Sequence, residues 1–487
     1  MIAFEQFEQL AAQYNVIPLE RTMLADLLTP VSTYLTLRRQ YSSSFLFESV
    51  EPDEKIGRFS FVGTEPRVLV RCRGGTARVF RDGESSEEYV DPFELLRSLA
   101  EQYRAPQESR TTFTGGFVGF IGYDSVKYIE RLALSEPRSG EVDDAMFGLF
   151  DTIVRFDHRA QRVTVFCTVI VDHSLPLRSQ YDAGKQRLDA IELRLRSTPV
   201  STNSFHASEI AETDDDKARF CGSVEKAKQH IVEGDIFQVV LSRRRRFRFV
   251  GDSFILYRAL RIINPSPYLF YLDFGETKLI GSSPEVLVRS ISGSVELFPI
   301  AGTRGRGKSE EEDKILETEL VNDEKENAEH LMLVDLGRND VGRVSEHGSV
   351  HVPVFKRVER YSHVMHLVSE VKGKLQKGKS AIDVLKACFP AGTVSGAPKV
   401  RAMEIIQDLE GTRRGVYAGA VGYIGFNDTM DMCIAIRTIV AHEDTLTVQA
   451  GAGIVANSVP EREYEETEEK MGALIQALEL SSRGLRL

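Results

Sequence analysis

The stretch from Gly451 to Lys470, GAGIVANSVPEREYEETEEK, constrains this chain more than any other. Gly451 and Gly453 carry no Cβ, so backbone N–H groups there can approach a ligand closely. Pro460 stands where a helix can start, because proline at the first helical position gives up no hydrogen bond. Beyond it, Glu463 and Glu466 are spaced i, i+3 and Lys470 lies four residues after Glu466, so two carboxylates and one ammonium fall along one helix face. A second acidic pair, Glu326 and Glu329 in NDEKENAEHLMLVDL, has the same spacing and is followed by the apolar Leu331, Met332, Leu333, Val334 and Leu336. Each pair reads as a solvated helix face. The alternative is that two facing helices present their carboxylates to one hard cation. Mg²⁺ suits that site, since it takes oxygen ligands, keeps waters and is held by few carboxylates plus groups of the substrate. Such an ion would bind a substrate anion that carboxylates alone would repel.

A chain of 487 residues exceeds what one hydrophobic core normally supports, which implies several packed units or one large multi-sheet domain. Helical and strand-like patterns are interspersed and many strands are joined by short turns, which favours a mixed chain with mainly antiparallel sheets over a βαβ repeat. Residues 1–30 read as helical, and 31–90 as short strands with turns at Gly74-Gly75 and Asp82-Gly83. TGGFVGFIGYD at 114–124 reads as a tightly packed strand, lacking the strand-to-helix setting of a dinucleotide fingerprint. Strands at 146–156 and 162–171 precede a charged helix at about 176–196. The Ser/Thr/Asp-rich 197–216 reads as a linker between an N-terminal half, 1–196, and a C-terminal half, 217–487. Asp214 to Asp216 can cap a helix whose Phe220, Val224, Ala227 and Ile231 share an apolar face before Gly234 ends it. PIAGTRGRG at 299–307 reads as a loop, and helical patterns cover about 310–336, 360–371, 380–388 and 398–408.

The formal net charge of −11 argues against nucleic-acid binding, and the basic run SRRRRFRF at 242–249 reads as the end of a strand. No apolar stretch reaches membrane-spanning length and MIAFEQFEQLAAQ lacks the regions of a leader peptide, so a cytoplasmic protein without a membrane partner is expected. Cys72, Cys167, Cys221, Cys388 and Cys433 are scattered and odd in number, which suits reduced thiols. Tryptophan is absent altogether, as expected by chance or of an enzyme that must be made when tryptophan is scarce.

The segments DIFQVVLSRR, NPSPYLFY, GSSPEVLVR, PIAGTRGRG, DEKENAEHLMLVDLGRND, HVMHLVSEVKG, PAGTVSGAPKVRAM and GAGIVANSVPEREYEETEEK together resemble the chorismate-binding enzymes, and FLFESVE and GRFSFVG extend the match into the N-terminal half. The resemblance implies an α+β fold of two large, mainly antiparallel sheets packed together with helices outside, built by both halves of the chain. It places Mg²⁺ on Glu329 and Glu466 with Glu326 and Glu463 beside them. Chorismate, a dicarboxylate, would be held by Gly302, Thr303, Thr393, Tyr417, Arg437, Lys470 and the backbone of Gly451, Ala452 and Gly453. Glu285 is implied as the acid that protonates the departing ring hydroxyl, and His366 as a participant in pyruvate elimination. Where relatives that add water carry a lysine base this chain has Gln238, and where relatives that form aminodeoxychorismate often carry a nucleophilic lysine it has Ala301. Ammonia is then the remaining nucleophile and anthranilate the product. No segment resembles a glutamine amidotransferase with its nucleophilic cysteine turn, so glutamine use would need a separate small subunit. Glu48, Ser49, Asn264, Pro267, Tyr268 and Leu269 match the family's tryptophan feedback site, with FLFES for the commoner LLES, Leu269 for a usual Met and Gly305 for a usual Pro.

Overall fold

Buried strands rich in phenylalanine and punctuated by glycine set the architecture. The computed structural model describes residues 1–38, 43–49, 58–81, 83–106, 113–138, 140–197, 204–210, 217–360 and 364–486, without the side chains of Thr303 and Lys325. Among these residues the strands form two sheets of twelve strands each. In the first, neighbours run Val16–Leu24, Arg162–Ile170, Thr152–Asp157, Phe59–Thr64, Ser43–Glu48, Tyr268–Phe274, Thr277–Ser283, Thr438–His442, Thr445–Ile454, Gln238–Gly251 and Phe205–Glu209, with Gly396–Ala397 also paired to Gln238–Gly251. In the second they run Ile300–Gly305, Val364–Lys374, Ser294–Leu297, Val286–Ile291, Met430–Ile434, Ala420–Gly425, Gly116–Ile121, Ala145–Phe150, Val68–Arg73, Thr76–Arg81 and Glu84–Tyr89, with His351–Arg360 also paired to Val364–Lys374. Every described pairing is antiparallel, as expected of the fold.

The sheets pack face to face through side chains from both, among them Phe45, Phe120, Phe150, Phe270 and Cys433. The outer face of the first is covered by the helices Phe4–Ala11, Pro30–Leu37, Leu177–Leu195, Phe254–Ile263 and Pro460–Ser482. Pro92–Ala100, Glu324–Gly342 and Ala381–Cys388 cover the second. Glycine is required inside the strands. A Cβ at Gly119 would meet Met146 O at 2.0 Å, and one at Gly281 would meet the Phe270 ring at 2.0 Å.

Twice the chain crosses from one sheet to the other at a single seam. Pro284 and Glu285 join Thr277–Ser283 to Val286–Ile291, while Ala435 to Arg437 join Met430–Ile434 to Thr438–His442. The crossings are bonded together: Ile434 N–H donates to Glu285 O at 3.0 Å, Ser282 N–H to Arg437 O at 3.1 Å, and Ser283 Oγ to Ile434 O at 2.7 Å. Glu285 and Arg437 are thereby fixed where the sheets meet.

Four local readings are corrected. Residues 1–30 hold a short helix and then the strand Val16–Leu24, whose partner across the sheet supplies what local pattern cannot. Of the 360–371 segment, the part from Val364 is strand, not helix; Val364–Lys374 is buried on both faces, and a continuous apolar run does not distinguish the two. PIAGTRGRG is not a loop but contains the strand Ile300–Gly305, irregular at Gly302. Within 197–216, Phe205–Glu209 pairs with Gln238–Gly251. The proposed caps Asp214 to Asp216 lie outside the described residues, whereas Phe220, Val224 and Ala227 do form a buried face and Gly234 takes φ +83° after it.

Candidate active site

Glu285 lies against a cavity of about 30 Å³ walled by apolar side chains including Leu297, Leu333, Leu336 and Ala391. Burial pushes its carboxyl up to about 7, a rise that Thr393 partly offsets. The Thr393 hydroxyl is buried beside it, outside good hydrogen-bond geometry with any group of the described residues. The result is a carboxylic acid able to give or take a proton near neutrality.

His366 lies on the strand Val364–Lys374, in register with Thr303, whose side chain lies outside the described residues. Gly302 bulges between Ala301 and Thr303 at φ +71° and turns its carbonyl to His366 Nδ1 at 3.0 Å. A carbonyl only accepts, so Nδ1 carries the proton and Nε2 keeps its lone pair. Burial lowers the imidazole pKa, which holds the ring neutral.

Gln238, the first residue of its strand, donates from Nε2 to Glu329 at 3.3 Å. Glu326 and Glu329 share the helix Glu324–Gly342, capped by Asp323. Burial first, and then the like charge of Glu329, raise the Glu326 pKa. Arg304 answers part of that charge, reaching Glu326 at 3.4 Å and Asp323 at 2.7 Å. The spacing of Arg304 from Glu326, across a strand-to-helix turn, carries no local signal in the sequence.

The second acidic pair stands on Pro460–Ser482, which begins at the proline as expected. Lys470 Nζ meets Glu466 at 2.6 Å and Gly451 O at 2.9 Å, so the face read from spacing exists. All four glutamates are partly exposed. They do not gather into one cluster: among the described residues only His230, Glu233 and Asp235 bring three ligand atoms within 4.8 Å of one another, and there Asp235 is already paired with Arg401 at 2.7 Å.

The glycine run supplies donors. Ser242 N–H goes to Glu410 at 2.7 Å and Val240 N–H to Ser395 O at 2.9 Å, so both point away from Thr445–Ile454. Their partners Gly451 and Gly453 must likewise turn their polar groups outward. On that side Thr438–His442 pairs no further than Val448, which leaves both N–H groups without a strand partner. Ala452 between them faces the other way, its backbone paired with Leu241 and its side chain buried with Phe220 and Leu241. The Tyr417 hydroxyl lies 2.7 Å from where a Gly451 Cβ would sit, and burial pushes its pKa up to about 12. The Arg437 guanidinium, on a backbone at φ +49°, makes no hydrogen bond or ion pair among the described residues, and burial lowers its pKa against a smaller opposing pull from Tyr417 and Glu466. A largely buried guanidinium without a counter-ion is costly unless an anion joins it.

Together these residues make a seam with a neutral acid, a neutral imidazole, outward N–H donors, an unpaired guanidinium and two acidic pairs. Residues 42–476 match the family model described as chorismate binding enzyme. The chain belongs to the chorismate-binding enzymes. Its relatives include the anthranilate synthase component 1 of Aquifex aeolicus, 45% identical over 99% of this chain and 98% of that protein. Another, from Acinetobacter calcoaceticus, is 45% identical over the full length of both. Among solved structures, anthranilate synthase component I from Streptococcus pneumoniae is similar, with TM-score 0.74 and 37% identity over 93% of this chain and 99% of that one. The menaquinone-specific isochorismate synthase of Escherichia coli, at TM-score 0.73 and 20% identity over 98% and 99% of the two chains, shares the fold alone.

A second chorismate-binding-enzyme expectation concerns the effector residues. Glu48, Ser49, Pro267, Tyr268 and Leu269 line one cavity of about 160 Å³ between the sheets, walled also by Phe59. Asn264 stands apart, bonded to Ser282 at 3.4 Å. Ser49 Oγ is buried without a partner among the described residues, while Glu48 accepts from the Tyr257 hydroxyl at 2.5 Å and pairs with Arg261 at 3.1 Å.

Proposed function

We propose that this chain is the large component of an anthranilate synthase, which combines chorismate and ammonia to give anthranilate, pyruvate and water. The observation that carries this reading is the pairing of Glu285, an acid poised near neutrality, with Gln238, a neutral amide where a water-activating base would be needed. Full-length relatives of the same name support it.

The two acidic pairs fit Mg²⁺. Their donors are all oxygen, they are partly open to solvent, and the Glu326 pKa, raised first by burial and then by the like charge of Glu329, leaves a carboxylate that a cation would favour. Mg²⁺ needs only one or two carboxylates when substrate and water complete its shell, so a preformed cage is unnecessary. Bound there, the ion neutralises and orients a substrate carboxylate. Arg437, Lys470 and the N–H groups of Gly451 and Gly453 hold the anionic groups, and Tyr417 and Thr393 bound the ring. Glu285 protonates the departing hydroxyl as ammonia forms its bond to the ring. Nε2 of His366 then accepts the ring proton as the C–O bond to the enolpyruvyl group breaks, and a proton returned to the departing enolpyruvate completes pyruvate.

Glutamine-derived ammonia requires a separate amidotransferase subunit. Four of the five cysteines are buried, and burial pushes Cys72 up to about 12 and Cys167 up to about 11, where no nucleophilic thiolate forms. The cavity beside Ser49 fits feedback by tryptophan, with apolar walls for the indole and Ser49 and Glu48 for its polar end. Among the described residues no helix is long and apolar enough to cross a membrane. Product analysis with chorismate, Mg²⁺ and ammonium tests the assignment: anthranilate supports it, whereas 4-aminodeoxychorismate or a hydroxylated ring refutes it.

A further inference from the structure

The buried ion pair Glu410–Arg414 has no part in the mechanism above. Glu410 closes the helix Lys399–Glu410, and Gly411 ends it at φ +63°. Arg414 then meets Glu410 at 2.6 Å, the two side chains 1% and 6% exposed respectively. Well-packed apolar side chains in place of such a pair are often as stable, so its partners show what it does. Each partner adjoins a residue assigned above to chorismate. Glu410 accepts from Ser242 N–H at 2.7 Å and from Ser242 Oγ at 2.8 Å. Arg414 donates from Nη2 to Val240 O at 2.6 Å and from Nη1 to Val394 O at 2.7 Å, and its guanidinium carbon lies 5.6 Å from the centre of the Tyr417 ring. Val394 directly follows Thr393, while Val240 and Ser242 stand opposite Gly453 and Gly451. Among the described residues Gly396–Ala397 pairs only with Gln238 and Val239, so at Val240 and Ser242 the ion pair and Ser395 O stand in for a neighbouring strand. Holding those polar groups on that side fixes the register in which Gly451 and Gly453 turn theirs to the seam.

We propose that Glu410 and Arg414 are positioning residues for chorismate: together they set the strand behind Gly451 and Gly453, the turn that carries Thr393, and the Tyr417 ring. The inference rests on the reading of the seam as the chorismate site. A guanidinium is required, because its planar donors reach two carbonyls and a carboxylate at once, whereas an ammonium is a single point of charge. A carboxylate is required, because both oxygens accept: Oε1 from Ser242 and from Arg414 Nη2, and Oε2 from Arg414 Nε at 3.0 Å. An amide in its place would set N–H against N–H on one side or the other.

The test compares wild type with Glu410→Gln and Arg414→Lys. Chorismate binding is measured by calorimetry with Mg²⁺ and without ammonium, so that amination does not occur, beside melting curves and circular dichroism. Each folded variant is expected to bind chorismate about tenfold more weakly or worse, and in turnover to show that rise in the chorismate KM while the ammonium KM stays within about twofold. A lower melting temperature with the chorismate Kd within about twofold of wild type would make the pair a brace of the fold alone and overturn the inference, as would an equal rise in both KM values. Should Arg414→Lys fail to fold, Glu410→Gln, which keeps size and shape, decides alone. Absence of chorismate binding in wild type would refute the reading of the seam and the inference with it. A wild type that binds chorismate but forms no anthranilate would refute only the synthase assignment, and the binding comparison would still decide the role of the pair.

Discussion

Glu285 shows how one residue trades stability for chemistry. Its folded pKa of about 7 lies above the ordinary carboxyl value of 4.5, so the folded state binds the extra proton between these values and stability falls as pH rises through that window. Glu285→Gln removes the penalty: the variant is expected to melt higher than wild type at pH 8, by on the order of 1–3 kcal/mol, and equally at pH 5. Its turnover is expected to fall by roughly 10²–10⁴-fold, and wild-type kcat to decline as pH rises above about 7, because the acid form is the working one. Paired thermal melts and a pH–rate profile check both signs. Arg437 gives a complementary case. Having no ion pair to lose, Arg437→Ala is expected to leave stability within about 1 kcal/mol of wild type while raising the chorismate KM by about tenfold or more. Glu285 and His366 stood out in the sequence only through motif resemblance. The bare guanidinium of Arg437 was not legible, because the lack of a partner is a property of three dimensions.

At the scale of elements, the acidic helices were the most legible feature. Helical spacing puts Glu463, Glu466 and Lys470 on one face whatever the tertiary fold, and the Lys470 to Glu466 bond realises it. The edge strand Ile300–Gly305 and the strand Phe205–Glu209 were not legible, because polar, glycine-rich segments become strands only when a distant partner offers its open edge. Glu329→Gln is expected to leave circular dichroism unchanged and to raise the Mg²⁺ concentration for half-maximal activity by about tenfold, as measured in a Mg²⁺ titration. Gly119→Ala, by contrast, drives a Cβ into Met146 O and is expected to destabilise by roughly 3 kcal/mol or more, read as a lower urea midpoint.

For the whole molecule, continuous strands run between two cavities. Leu269 lines the cavity beside Ser49 on Tyr268–Phe274, which turns directly into Thr277–Ser283 and so into Glu285. Ser49→Phe, filling that cavity, is expected to abolish tryptophan inhibition while ammonia-dependent turnover stays within about twofold of wild type; inhibition curves with and without the substitution decide it. The antiparallel character was readable from strand density and short turns. That both halves of the chain contribute to both sheets came from the resemblance and not from pattern, since periodicity fixes faces but not partners.

The central claim is that the seam between the sheets, with an acidic pair on either side, aminates chorismate. Its most direct measurement is the fluorescence of anthranilate formed from chorismate, Mg²⁺ and ammonium by the wild-type chain and by Glu466→Ala, with circular dichroism of both. The account predicts strong product fluorescence from wild type and a loss of about 10²-fold or more in a folded Glu466→Ala. Near-normal turnover in that variant, or a product other than anthranilate from wild type, would contradict it.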